Sequence, residues 1–204
     1  YSDIVSGETW AALNWLEEEA ATYQSTEKEE KHFKYRINKI NKANIAQYKD
    51  FTLVEPDRES GVLSLFTIID HVEKDLFPFT ILDYDTHEGI DVIVKGESQN
   101  PVKDSQLFYV EFKRTLERNF NHSFKNIHSI VCWETNIKHD EEIQDFTGAK
   151  RQMKIVIPEH EKDYTRYYLD EARSGRKIEV FCMKQYLKEK LGIEFRPRTD
   201  KDIE

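Results

Sequence analysis

The chain has 204 residues, 38% hydrophobic and 12% aromatic, and a chain of that length buries roughly 70% of its surface on folding, enough for one large domain with a true core. Its net charge of −9 argues against a nucleic-acid binder that works by bulk electrostatics, though not against an enzyme with a local basic strip. No apolar run reaches the roughly 18 residues that span a membrane, and no basic segment followed by an apolar one marks a secretory signal. The chain begins at Tyr1 and reads as a piece of a longer or processed protein.

Residues 1–50 are expected to form a helical extension or linker. Trp10, Leu13, Leu16 and Ala20 recur at helical spacing in a first helix. Phe33, Ile37, Ile40, Asn44 and Tyr48 make the stripe of a second, from about Glu27 to Tyr48. The main domain is expected over residues 51–195. Pro56 suits a helix start, and Val62, Leu65, Phe66, Ile69, Val72 and Leu76 give that helix an apolar stripe. Glu59 falls on or beside its core-facing side, at its end, which is unusual for a merely solvated acid.

Three strands follow, at 79–84, 89–95 and 107–113, with a hairpin turn at 85–89 and a longer polar loop between the second and third. A short helix is expected around Glu117 to Asn126, then a strand over 127–133, an acidic loop at 140–145 and a strand over 151–157. A helix over 163–172, a strand over 177–183 and a helix over 184–192 complete the domain, and residues 196–204 are expected to be a loose tail. Cys132 and Cys182 lie in apolar strands without a CxxC spacing, so they read as buried free thiols in a reducing cytoplasm.

Side chains two apart on a strand share a face, so Glu111 and Lys113 point one way and Val110 and Phe112 the other. If the strand holding Asp91 pairs antiparallel with this one in the right register, Asp91 and Glu111 become neighbours. Two adjacent carboxylates repel, and a divalent cation removes the repulsion. Hard oxygen ligands suit Mg²⁺, which takes one or two carboxylates and keeps several waters. A lysine beside that ion can orient a water or stabilise charge developing on phosphorus.

"EGID" at 88–91 followed by "YVEFK" at 109–113 resembles the PD-(D/E)XK nuclease superfamily. The resemblance implies an α/β fold with a restriction-endonuclease-like core, α-β-β-β-α-β, a mixed central sheet flanked by helices, here with an N-terminal helical extension. It implies an Mg²⁺- or Mn²⁺-dependent endonuclease acting on DNA. Asp91 and Glu111 would ligate the metal together with the backbone carbonyl of Phe112, Lys113 would position the attacking water, and Glu59 matches an acid that some members carry on the first core helix. The motif's Pro before Asp is absent, and Ile90 stands in its place. The E-x-K triplet alone is a weak signal: "EEK" at 29–31 repeats it inside a polar helix.

From Lys113 to His128 four bases, Lys113, Arg114, Arg118 and Lys125, stand against one acid, Glu117. Arg114, Arg118, Asn121, His122, Ser123 and Lys125 are therefore the candidate phosphate contacts, alongside a plain capping role for Asn121 and Ser123. The stretch 120–134 also resembles the C-terminal regions of large bacterial Hsp90-like (GHKL) ATPases. That resemblance implies a bacterial defence setting and an ATPase domain in the same or a partner chain. The competing expectation is a nuclease-like module without turnover, used for docking or homodimer formation.

Overall fold

The structure is a computed structural model and describes residues 7–85, 91–96, 106–160, 163–171 and 175–199. The chain divides into two units, 1–44 with 197–204, and 45–196. In the first, α1 (Gly7–Lys42) is one continuous helix. Two helices were expected, but residues 24–27 contain neither Gly nor Pro, and nothing local interrupts the ladder. The helix also stops earlier than its stripe suggested. Residues 45–48 are instead β1 (Ile45–Tyr48), paired with β2 (Phe51–Val54) across a tight turn in which Lys49 takes a left-handed φ of 50°. Tyr48 thus belongs to a hairpin, and the compact unit starts at Ile45 rather than at 51.

In the second unit, α2 (Glu59–Val72) buries Val62, Leu65, Phe66 and Ile69, the expected stripe. The sheet that follows contains β3 (Thr80–Tyr84), β4 (Val92–Lys95), β5 (Leu107–Leu116), β6 (Asn119–Phe120), β7 (Ile127–Thr135), β8 (Glu142–Asp145), β9 (Lys150–Val156), β10 (Arg166–Asp170) and β11 (Lys177–Cys182), and α3 (Met183–Leu191) comes last. The spatial order is β3-β4-β5-β7-β11-β10-β9-β8-β6. β3, β4 and β5 pair antiparallel, whereas β5 with β7 and β7 with β11 are parallel. The fold is mixed α/β with a curled mixed sheet.

Three segments differ from expectation. Residues 117–126 hold no helix. Their spacing of Phe120 and Phe124 imitates one, but the two rings stack at 5.2 Å and enter the core from β6 and the turn after it. The Phe124 N–H is taken by the Asp145 carboxylate at 2.9 Å, and the Asn- and Ser-rich sequence favours such side-chain bonding over a helical ladder. The acidic stretch 140–145 is not all loop: β8 alternates exposed Glu142 and Gln144 with buried Ile143 and Asp145. The expected helix over 163–172 is β10, whose Tyr-rich run suits a strand and which is paired on both sides, with β9 and β11.

The two faces of the sheet bury separate cores. One sets Phe66 of α2 and Tyr186 and Leu187 of α3 against Phe112, Val131 and Phe181. The other fills the inside of the curl, with Leu116, Phe124, Ile143, Met153 and Leu169. Cys132 and Cys182 are register partners on β7 and β11, buried as free thiols 3.6 Å apart. α3 ends at Gly192, in the left-handed conformation. The tail is not loose at its start, because Arg196 exchanges backbone hydrogen bonds with Ile45. Among the described residues no helix is long and apolar enough to cross a membrane.

Phe66 is fully buried between Phe77, Phe79 and Phe112, at ring distances of 4.3, 5.8 and 5.4 Å. Phe66→Ala is expected to cost about 3–5 kcal/mol by denaturant unfolding, more than the removal of any exposed aromatic ring such as Phe146.

Candidate active site

The register between β4 and β5 sets Val92 opposite Val110, which brings Asp91, one residue before β4, beside Glu111. The two acids are bound into each other's strands. The Phe112 N–H donates to Asp91 Oδ2 at 2.9 Å, and the Asp91 N–H donates to Glu111 Oε2 at 3.3 Å. Within a strand a residue's N–H and C=O point to the same side, so the Phe112 carbonyl lies on the β4 side of β5. The main chain of Asp91 is fixed from behind, where its carbonyl accepts the Asp85 N–H at 2.9 Å.

Glu111 has no exposed surface. Lys113 Nζ lies 2.5 Å from its Oε1 and 3.4 Å from Glu59 Oε1 on the first turn of α2. His122 Nε2 approaches the same Oε1 at 3.0 Å, and Asn121 Nδ2 lies 3.1 Å from that nitrogen. Glu59, Asp91, Glu111 and Lys113, named from sequence, therefore stand together, and β4, β5 and the start of α2 position them.

Burial dominates the electrostatics. It pushes the Glu111 carboxyl up to about 7, against the hydrogen bond and charge of Lys113, which act the other way. It also raises Asp91, opposed by the Phe112 N–H and Lys113. Burial works against the charged form of Lys113, but the bond to Glu111 and the charges of Glu111, Glu59 and Asp91 leave its ammonium above the ordinary lysine value. Burial and the Lys113 charge lower His122, which favours a neutral imidazole.

Beside Lys113 opens a cleft of about 430 Å³ lined by Glu59, Thr115, Glu117, Asn119 and Asn121 among others. Of the six candidate phosphate contacts, the structure brings Asn121 and His122 to the site. They sit in a bend rather than on the expected helix. Arg114 also borders the cleft, but its guanidinium pairs with Glu134 at 2.9 Å. Arg118 pairs with Glu141 at 2.7 Å. Ser123 Oγ accepts the Lys125 N–H at 3.3 Å, and the Lys125 carbonyl accepts Arg176 Nη1 at 2.8 Å. None of these last three bonds to the four central residues.

Sequence reasoning gave His122 a phosphate role and missed its approach to Glu111, because only the path of the 117–126 turn sets it. Tyr84 of β3 pairs with Val92, so it lies on the face away from Asp91 and Glu111, and burial followed by the charges of Asp91 and Glu59 raises its phenol.

The donor set was tested for a divalent cation. Glu59, Asp91 and Glu111 supply three acids against one ammonium and a neutral imidazole, a surplus of negative charge that a doubly charged ion neutralises. Among the described residues no three His, Cys, Asp or Glu side chains converge as a metal cage. Two carboxylates and a backbone carbonyl are nevertheless the hard-oxygen set that Mg²⁺ takes while keeping waters, so the residues fit. Comparisons with family models, curated proteins and solved structures found no match.

The raised Glu111 carboxyl fixes the sign of a pH effect. The native state keeps a proton that the unfolded chain releases in the ordinary glutamate range. The stability that this proton carries is present below that range and is lost as pH rises to about 7. In metal-free buffer the wild type is expected to lose about 3 kcal/mol between roughly pH 4 and pH 8 relative to Glu111→Gln. The slope is the readout, since the variant also leaves Lys113 without its partner. Urea unfolding at several pH values measures it, and equal slopes would contradict the assignment.

Proposed function

We propose that the chain is a metal-dependent nuclease that hydrolyses phosphodiester bonds of DNA on a restriction-endonuclease-like core. The observation that carries the reading is the interlocking of Asp91 and Glu111 across β4 and β5, with the Lys113 ammonium against Glu111. Asp91, Glu111 and the Phe112 carbonyl are the residues that would hold Mg²⁺ or Mn²⁺. Bound there, the ion would polarise a phosphate and acidify a ligated water.

The chain's own groups supply the rest. Lys113, held between Glu111 and Glu59, is placed to orient a water and to face charge developing on a phosphate oxygen. Glu59 and Lys113 both line the cleft, and His122 meets the same Glu111 oxygen as Lys113. Asn121, on the cleft wall, is the polar group best placed for a backbone phosphate. The turn at 117–126 stands where a helix of that core was expected, so the likeness of the core rests on α2, the β3-β4-β5-β7 order and the site. With a net charge of −9, this chain binds DNA weakly by itself, which suits delivery of the substrate by an ATPase region of the same or a partner protein.

One observation favours the second reading, a nuclease-like interaction module without turnover. Lys113 and His122 already occupy Glu111 Oε1, and no three acidic or histidine side chains converge among the described residues.

Plasmid nicking with Mg²⁺ or Mn²⁺ separates the two. Cutting is expected to vanish with chelator and to fall roughly 100-fold or more in Lys113→Ala and in Asp91→Asn. Metal-independent cutting, or cutting unchanged in both variants, contradicts the proposal. No cutting by the wild type, together with no Mn²⁺ site that depends on Asp91 and Glu111, selects the module.

A further inference from the structure

α1 runs for 36 residues, about 54 Å, and carries Trp15, Leu16, Tyr23, Phe33, Tyr35, Ile37 and Ile40 as exposed large apolar side chains. All but Trp15 and Tyr35 fall on two columns. Leu16, Tyr23 and Ile37 fall in one column of seven-residue spacing, interrupted by Glu30, and Phe33 and Ile40 fall in the adjacent column after Thr26. Two neighbouring columns at this spacing form the seam of a two-stranded coiled coil. A seam exposed along a helix marks a surface that a partner covers.

Charge along the same helix says what the partner is. Its first half carries Glu8, Glu17, Glu18 and Glu19 and no base. From residue 27 onward it carries Lys28, Lys31, Lys34, Arg36, Lys39 and Lys42 against Glu27, Glu29 and Glu30. The helix is acidic at its start and basic at its end, so its best electrostatic complement is itself reversed.

We infer that α1 is a self-association element that pairs antiparallel with α1 of a second copy of this chain. Antiparallel pairing centred near residue 28 sets Leu16 against Ile40, Tyr23 against Phe33 and Glu30 against Thr26 of the other copy. Three layers thus match apolar with apolar and polar with polar, and the fourth, Ile37 with position 19, is mixed. Parallel pairing would stack Glu30 on Glu30 and the acidic half on the acidic half, at a cost to stability. Glu30 is then the weak place in the seam. This inference does not depend on the nuclease reading, because it concerns a separate unit and a binding surface.

Sedimentation equilibrium of the full 204-residue chain tests the pairing. A dimer is expected at low salt and is expected to weaken as salt screens the two charged halves. Phe33→Asp with Ile37→Asp is expected to sediment as a monomer, with a circular dichroism signal that retains the sheet domain. Glu30→Leu is expected to tighten the dimer roughly tenfold or more, since it removes a charge from the seam. Single-cysteine variants fix the direction. In the antiparallel pair two copies of position 16 lie about 36 Å apart. Oxidation should therefore cross-link Leu16→Cys to Ile40→Cys in a mixture, but not Leu16→Cys to itself. Cys132 and Cys182 are buried and do not compete. A monomer at every concentration, a dimer that survives the Phe33 and Ile37 substitutions, or a 16-to-16 cross-link would each overturn the inference.

Discussion

A glutamate with no exposed surface, Glu111, is the constraint around which the site is arranged. A buried carboxylate is unfavourable unless it is hydrogen-bonded, and unfavourable in its charged form unless it is paired. The groups near it answer those demands: Lys113 the charge, with His122 at the same oxygen, and the Asp91 N–H the other oxygen. The alternation of β5 makes this possible. Val110 and Phe112 fill the core that α2 and α3 cover, which leaves Glu111 and Lys113 on the opposite face of the same strand. The Phe112 ring locks against Phe66 while its N–H holds Asp91, so one residue ties the hydrophobic core to the acids.

The acids and the lysine are legible from sequence because they rest on strand periodicity, which is local. Glu111 and Lys113 are two apart, and the apolar runs at 89–95 and 107–113 announce the pairing that puts Asp91 beside them. α2 is legible for the same reason, through the spacing of Val62, Leu65, Phe66 and Ile69. The losses occur where local spacing and tertiary pairing disagree. Phe120 and Phe124 are four apart and look helical, yet Asp145, more than a strand away, claims the Phe124 N–H and fixes a turn. Tyr164, Tyr167 and Tyr168 fall on one face of a helix by spacing, yet β9 and β11 offer ladders on both sides. His122 reaches Glu111 only through the turn that Asp145 helps to fix.

The two units of the chain divide the physical tasks. Residues 45–196 hold an apolar frame with a charged site on β5, beside the start of β4. α1 is long, acidic in its first half and basic in its second, and carries most of its exposed apolar side chains in two columns, a composition suited to joining chains. The basic groups between 113 and 128 are largely spent on local partners such as Glu134 and Glu141, so the unit does not present the broad positive surface of a free-standing DNA binder. A substrate phosphate held beside Lys113 would have to be brought there by shape, by the ion or by another part of a larger assembly.

On the proposed reading Asp91 and Glu111 share one divalent cation. Its most direct test is a crystal structure of the chain soaked in Mn²⁺, read from the anomalous scattering of the metal. One peak is expected between the two carboxylates and near the Phe112 carbonyl, with Lys113 turned from Glu111 toward a ligated water. An empty site with Lys113 still against Glu111, or manganese bound only elsewhere, would contradict it.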